Sequence, residues 1–393
     1  MVKMLPIEPL SKAVMEDIGL VWHTDRDGSP YVDSTLLQVS EAEAEAYYDA
    51  ANTLYDMFVE TAQHVIDEQR YLELGIPSNL VRQIEESWER DDRHLYGRFD
   101  FAGGLDGLPI KLIEFNADTP TSLFETSIVQ WAMLKANDMD ATRQFNNLHE
   151  MLKENFRRLI TGDHPPDEFA ERYAGQKILF SSVGGMPEDE RTVRYLQQVA
   201  HDAGFYTDFC YMHEAGFNAE DGVFNKDQQL ADYWFKLFPW EDIAAEELEL
   251  TRLLDKVSRH GRTRILNPAY TLLFQSKGIL KLMFDAFPDS PYLLRTDFEP
   301  LSGTPQVCKK LFGREGANLQ LIDAHGKLIA ETDGPYAHHK AIYQERAEFA
   351  QDPAGQNYQA GVFYAWEACG LGFRRGGDVL NDTSKFVGHI IEG

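Results

Sequence analysis

Between Leu95 and Glu125 the chain reads LYGRFDFAGGLDGLPIKLIEFNADTPTSLFE, a stretch that sets charged side chains inside two short apolar strands and so constrains the fold more than any other. Lys111 to Phe115 reads as a strand, so Glu114 and Asn116, two residues apart, project from one face. Arg98 and Asp100 share a face in the same way on a neighbouring strand. Carboxylate and amide oxygens delivered together suit Mg2+, which keeps its other positions for water and phosphate oxygens, and Arg98 is placed to brace a phosphoryl group. A plainer reading stands beside this one: an Asp or Asn just past a strand end often caps a turn, and Thr121 could cap a helix with Glu125 in its first turns. The DTPTS turn leads into a helix from about Ser122 to Lys135, which makes its amides and hydroxyls a candidate anion or substrate loop.

At 393 residues the chain exceeds the usual size of a single hydrophobic core, so two or three packed lobes are expected. Its formal net charge of −27 repels nucleic acid and anionic membranes while tolerating a cationic substrate such as a polyamine, although solubility alone also explains such a charge. Cys210, Cys308 and Cys369 are far apart and form no CxxC pair, which fits reduced thiols in a cytoplasmic protein and gives no sign of a zinc site. The amino terminus lacks a secretion-signal pattern and no run approaches a membrane span, so a soluble, cytoplasmic protein is expected. Repeats and long linkers are missing too, and fold rather than composition must separate the lobes.

Ser40 to Arg70 is the clearest helix: Ser40 and Glu43 match a capping box, and Tyr48, Ala51, Tyr55, Phe58, Ala62 and Val65 recur at helical spacing. A second helix is expected around Leu80 to Arg90. From Gln176 the strand KILFSSV, the loop GGMPEDE, a helix through Arg191 to His201 and a strand near Tyr206 to Tyr211 read as an open α/β lobe. Its ligand edge lies at the carboxyl ends of the strands. Glu188, Asp189 and Glu190 fall on that edge, where an acidic trio also simply complements the helix dipole. From Ile265 onward, a helix through Ser276 to Phe287 carries Lys277. VCKKLFGREGANLQLI then reads as strand, glycine loop and strand, with a hairpin around His325 and Gly326. Lys309 and Lys310 point to opposite faces, so one can be solvated while the other reaches a cleft. Gly313 and Gly316 let backbone amides approach phosphates, though as a motif this is weak, because GxxG in a hairpin is more often just a tight turn. AIYQE, YQAGVFYAWE and CGLGFRR read as strands of an antiparallel sheet. GxxxxGK[ST], HExxH, GxSxG and GxGxxG are all missing, and His338 and His339, being adjacent, diverge; Walker, zinc-protease, hydrolase and dinucleotide chemistries are thereby disfavoured.

YGRFDF, KLIEFNADTPTSLFE, ERTVRYLQ, FKLFPWE, SKGILKLMF, KLFGREGAN and GFRRGG, in this order, resemble the synthetase domain of the glutathionylspermidine synthetase family from about Pro6 to the carboxyl terminus. The match is to the shorter, single-domain branch without the amidase domain. The resemblance implies an α/β protein with a permuted ATP-grasp fold and an inserted or adjoining open α/β lobe. Its lobes run roughly over residues 6–165 (metal-binding segment), 166–265 (open α/β substrate lobe) and 266–393 (nucleotide-clamping lobe). It implies ATP-dependent amide formation through an acyl phosphate, with ATP and Mg2+ required and with a small-molecule or peptide carboxylate and an amine, a polyamine among the candidates, as substrates. Carried over residue by residue, the metal ligands fall on Asp100, Glu114 and Asn116, and the arginine that stabilises the transferring phosphoryl group falls on Arg98. The nucleotide lysines become Lys277 and Lys309, the phosphate loop Phe312 to Gly316 with Gly313 and Gly316, the adenine hinge Gln344 and Glu345, and the mobile closing arginine Arg374. Thr119 and Glu188 match substrate positions. Where the family's glutathione pocket resembles KTWAWET, this chain has KLFPWED, which puts Leu237 and Asp242 at the two hydroxyl positions, and Pro187 replaces a glutamate beside Glu188. A site built to hydrogen-bond a polar substrate loses much when its partners become Leu or Pro, so glutathione and spermidine are disfavoured. The competing expectation is an ATP-Mg2+ binding protein without ligase activity that regulates or scaffolds a partner.

Overall fold

A computed structural model describes residues 1–260, 262–381 and 383–392. Its longest helix, Glu41–Asp67, starts where the sequence places it: the Ser40 hydroxyl accepts from the Glu43 amide, and the Glu43 carboxylate accepts from the Ser40 amide. The helix buries Ala51, Leu54, Phe58, Ala62 and Val65 and packs on the strands Asn357–Ala365 and Glu367–Gly376. Those strands belong to an eight-stranded sheet ordered Met4–Pro6, Val32–Val39, Lys385–Ile391, Glu367–Gly376, Asn357–Ala365, Gly97–Ala102 and Lys111–Asn116, with Ala350–Gln351 paired off the main path. Strands from the first and last sequence lobes thus share one sheet, and the two ends of the chain meet where Val32–Val39 runs parallel to Lys385–Ile391.

AIYQE corrects the sequence reading. Ala341–Glu345 pairs with Gln306–Lys310 and Thr296–Asp297 in a separate five-stranded antiparallel sheet that Gln320–Ile322 and Leu328–Glu331 complete, while YQAGVFYA and EACGLGFRR lie in the eight-stranded sheet. An alternating pattern marks a strand but not its partner, which is why the two sheets were not separable. The hairpin at Asp323–Lys327 turns on Gly326 at φ 81.

Lys177–Ser181, Tyr206–Phe209, Tyr233–Lys236 and Arg264–Leu266 form an all-parallel four-stranded sheet. The crossover helix spans Pro187–Ala203, starting before the expected Arg191 because Pro187 is a good first helical residue. Lys277 is a further correction: it sits in the turn between the helices Thr271–Gln275 and Ile279–Ala286, outside both. Its amide donates to Leu311 O at 3.0 Å, which pins that turn to the five-stranded sheet. Among the described residues no helix is long and apolar enough to cross a membrane. The whole is a mixed α/β architecture in which the eight-stranded sheet, antiparallel but for the Val32–Val39 and Lys385–Ile391 pair, meets the five-stranded antiparallel sheet and the edge of the parallel one around a cleft.

Candidate active site

In the antiparallel pair Gly97–Ala102 and Lys111–Asn116, Asp100 lies opposite Glu114 and Arg98 opposite Asn116, so all four side chains share one face. On the other face Phe99 stacks on Phe115 with centroids 3.8 Å apart, and Phe58 of the long helix covers both. Aromatic burial therefore fixes which way the charges point. Arg98 donates to both oxygens of Asp100, at 2.6 and 2.9 Å, and to Thr121 O at 2.7 Å. Asn116 Nδ2 donates to Asp100 Oδ2 and Glu114 Oε1, each at 3.2 Å. Lys277 Nζ stands 3.0 Å from Glu114 Oε2 and donates to Gly313 O at 2.7 Å. From the facing sheet, Lys309 Nζ donates to Gln344 Oε1 at 2.7 Å and to Ile113 O at 3.4 Å.

Burial drives the electrostatics. It pushes the Asp100 carboxyl up against the opposing pull of Arg98. Glu114 is also pushed up by burial, but Lys277 and Lys309 overcome this and hold it well below the usual carboxylate range. Lys309 is drawn down to about 8 by burial, with Glu114 opposing. Burial likewise weighs against the charge of Arg98, yet Asp100 raises it overall. Asp100 and Glu114 present carboxylate oxygens bridged here by the Asn116 amide nitrogen, and a flip of that amide would add Oδ1 to complete the oxygen set a hard divalent cation takes; the upward pressure on Asp100 is what such a cation relieves.

Thirteen of the sequence-predicted residues line one cleft of about 600 Å3: Arg98, Asp100, Glu114, Asn116, Thr119, Glu188, Lys277, Lys309, Gly313, Gly316, Gln344, Glu345 and Arg374. Two expectations need correction. Asp242 is not among the lining residues; it lies in the helix Trp240–Glu246, where burial and then Glu241 raise its carboxyl to about 6. Leu237, expected with it, does line the cleft. Arg374 is carried by no loop: it sits in the strand Glu367–Gly376, paired with Gln359 and Phe386. Its Nη2 donates to Asn381 O at 2.8 Å, while the buried Nε has no partner among the described residues.

Sequence reasoning missed several residues. Glu125 is fully buried, accepts from Tyr31 OH at 2.9 Å and Trp22 Nε1 at 3.1 Å, and leaves Oε2 without a partner. Burial, then Glu125 and Asp189, raises Glu188 to about 8, and burial raises Asp189 to about 6. Lys236 and Asp118, both fully buried, pair at 3.0 Å, with Asp118 also accepting from the Trp240 amide. This pair ties the NADTP turn to the parallel sheet. Its only sequence signal was that each partner lies inside a distinctive motif, NADTPTSL or FKLFPWE.

The family model described as glutathionylspermidine synthase preATP-grasp matches residues 2–392. A Haemophilus influenzae protein carrying the provisional name acid–amine ligase is 29% identical over 381 residues, which is 92% of this chain and 91% of that one. Trypanothione synthetase of Crithidia fasciculata is 27% identical, and the bifunctional glutathionylspermidine synthetase/amidase of Escherichia coli 26%, each over 86% of this chain. The chain spans about half of each of these two, 53% and 55%. Among solved structures, the apo form of a glutathione synthetase-like effector from Globodera pallida superposes with a TM-score of 0.56 over 98% of both chains at 11% identity, a likeness of fold alone.

Proposed function

The chain belongs to the glutathionylspermidine synthase preATP-grasp family, and on that premise we propose that it joins a carboxylate to an amine using ATP, releasing ADP and phosphate. The fold is of the permuted ATP-grasp kind, since the strands bearing Asp100 and Glu114 precede in sequence the turn and strand bearing Lys277 and Lys309. Residues 166–265, with their parallel sheet, serve as the substrate lobe.

The observation that carries this reading is the meeting of Arg98, Asp100, Glu114 and Asn116 with Lys277 and Lys309 on one cleft. Gln344 and Glu345 hold the adenine, while Lys277, Lys309 and the amides around Gly313 and Gly316 hold the phosphates. Asp100, Glu114 and Asn116 would hold Mg2+, which supplies neutralisation of the triphosphate charge. A substrate carboxylate oxygen attacks the γ-phosphorus in line as the bond to ADP breaks, and Arg98 with Arg374 stabilises the transferring group. The amine nitrogen then attacks the acyl carbon, loses a proton, and phosphate departs. Glu188, held up by burial and then by Glu125 and Asp189, and Asp189, held up by burial and then by Glu315, regain their charge beside a cationic partner, which favours an amine at that edge. Leu237 and Pro187 on the cleft wall favour a carboxylate substrate other than glutathione.

The test is ADP release screened over pairs of small or peptide carboxylates with amines. Release is expected only when both substrates are present, and Glu114→Ala and Asn116→Ala should abolish it while leaving the fold intact. ATP turnover indifferent to every amine, or full activity in both variants, would refute the proposal.

A further inference from the structure

On the face of the Lys111–Asn116 strand turned away from Glu114 and Asn116, Phe115 packs edge-on against Tyr55 and His94. Tyr55 and His94 also line a second cavity, of about 520 Å3, that shares no lining residue with the cleft. Its walls are aromatic. Tyr55 stacks on Tyr364 with centroids 4.0 Å apart, and Trp88 meets Tyr270 edge-on at 5.1 Å. Trp366, at the tip of the hairpin joining Asn357–Ala365 to Glu367–Gly376, is held there at φ 73.

Two features of this cavity, two phenols and two exposed carboxylates, have no partner among the described residues. Tyr270 and Tyr364 are 7% and 8% exposed and line the cavity, yet neither hydroxyl makes a hydrogen bond among the described residues. The Tyr270 amide, by contrast, donates to Ser87 Oγ at 3.1 Å. Both hydroxyl oxygens open onto the cavity, where an occupant's N–H groups can reach them. Asp56 and Asp91 also line the cavity and form no ion pair among the described residues, whereas the adjacent Asp92 is tied to Arg90 at 2.6 Å. The carboxylates act at close range: after burial, Tyr55, Asp91 and Asp92 push the Tyr270 hydroxyl well above its ordinary value. Two cations are drawn to Trp366, Arg93 with its Cζ 4.9 Å and Arg158 with its Cζ 4.0 Å from the ring centroid. Aromatic faces attract cations through their quadrupole, carboxylates repel anions, and free phenol oxygens accept N–H groups.

We propose that this cavity is a second ligand site, separate from the cleft, that takes a small organic ammonium ion. Asp56, Asp91 and the free phenols meet its N–H groups, and its alkyl part lies against Trp88 and Phe274. The inference stands independently of the ligase reading.

n-Butylammonium chloride, titrated at fixed ionic strength by calorimetry and by tryptophan fluorescence, tests it, with n-butanol and sodium butyrate as isosteric controls. Saturable binding is expected for the ammonium alone. It should weaken by about tenfold or more in the double variant Asp56→Asn with Asp91→Asn, the range for removing charged hydrogen bonds. A smaller weakening is expected in Tyr270→Phe and none in Asp289→Asn, an exposed carboxylate that lines neither cavity, with melting temperatures confirming that each variant folds. Failure to saturate, equal binding of n-butanol, or binding that the double variant keeps at full strength would overturn the site.

Discussion

Lys309 shows how one buried side chain ties chemistry to pH. Burial lowers its pKa to about 8, with Glu114 opposing; a triphosphate brings further negative charge and raises it again. Nucleotide binding should therefore take up a proton near pH 8, and ATP affinity should fall as pH rises from about 7 to 9 through that value. Lys309→Met is expected to lose roughly tenfold or more in affinity and to abolish this alkaline fall, because one charge-assisted contact and its proton are gone. Calorimetry in buffers of different ionisation enthalpy measures both effects, and an unchanged alkaline limb in the variant would assign the titration elsewhere. Residues such as Lys309 were legible because strand alternation sends it and Lys310 to opposite faces, and the structure agrees: Lys310 Nζ donates to Ala337 O and His339 O on the far side. Glu125 was not legible. Beside a helix start its sequence context is that of an ordinary first-turn acid, and only the approach of Trp22 and Tyr31 from a distant segment buries it.

The glycine loop is the element whose shape depends most on a single residue. Gly316 has φ +67, and a Cβ there would lie 2.6 Å from Leu380 O, whereas Gly313 has no positive φ and its nearest neighbour would be 3.3 Å away. Gly316→Ala must therefore push the loop off the Val379–Leu380 segment or strain the backbone by about 1–3 kcal/mol. Its kcat/KM for ATP should drop on the order of tenfold, with Gly313→Ala affected much less. Steady-state kinetics decides this, and equal effects at the two glycines would mean that the contact with Leu380 does not set the loop. The positions of Lys277 in a turn and of Arg374 within a strand carry the same lesson. Periodicity found the neighbouring elements, but the Lys277 amide bonding to Leu311 O and the cross-strand pairing of Arg374 with Gln359 and Phe386 fixed which residue lies inside and which outside.

Across the whole molecule, the cleft is bounded by sheets that share no strand, so a nucleotide seated between them should couple their stabilities. Mg2+-ATP at about a hundred times its dissociation constant contributes roughly 2.7 kcal/mol, which should raise the melting temperature by on the order of 5 °C. EDTA should remove most of that shift, and Asp100→Asn should show little of it even with Mg2+ present; differential scanning calorimetry reports both. The sequence by itself determined the strand faces carrying Arg98, Asp100, Glu114 and Asn116, the capped long helix, the glycine loop, the parallel lobe and the motifs that resemble the family, because each depends on contacts within a few residues of chain. Tertiary structure alone decided that AIYQE joins the sheet of Lys309, that the two ends of the chain share the other sheet, that Asp242 stays off the cleft wall, and that Lys236 is buried against Asp118. Each of these depends on segments far apart in the chain, and its energy comes from burying groups whose neighbours no local pattern of hydrophobicity, spacing or charge specifies.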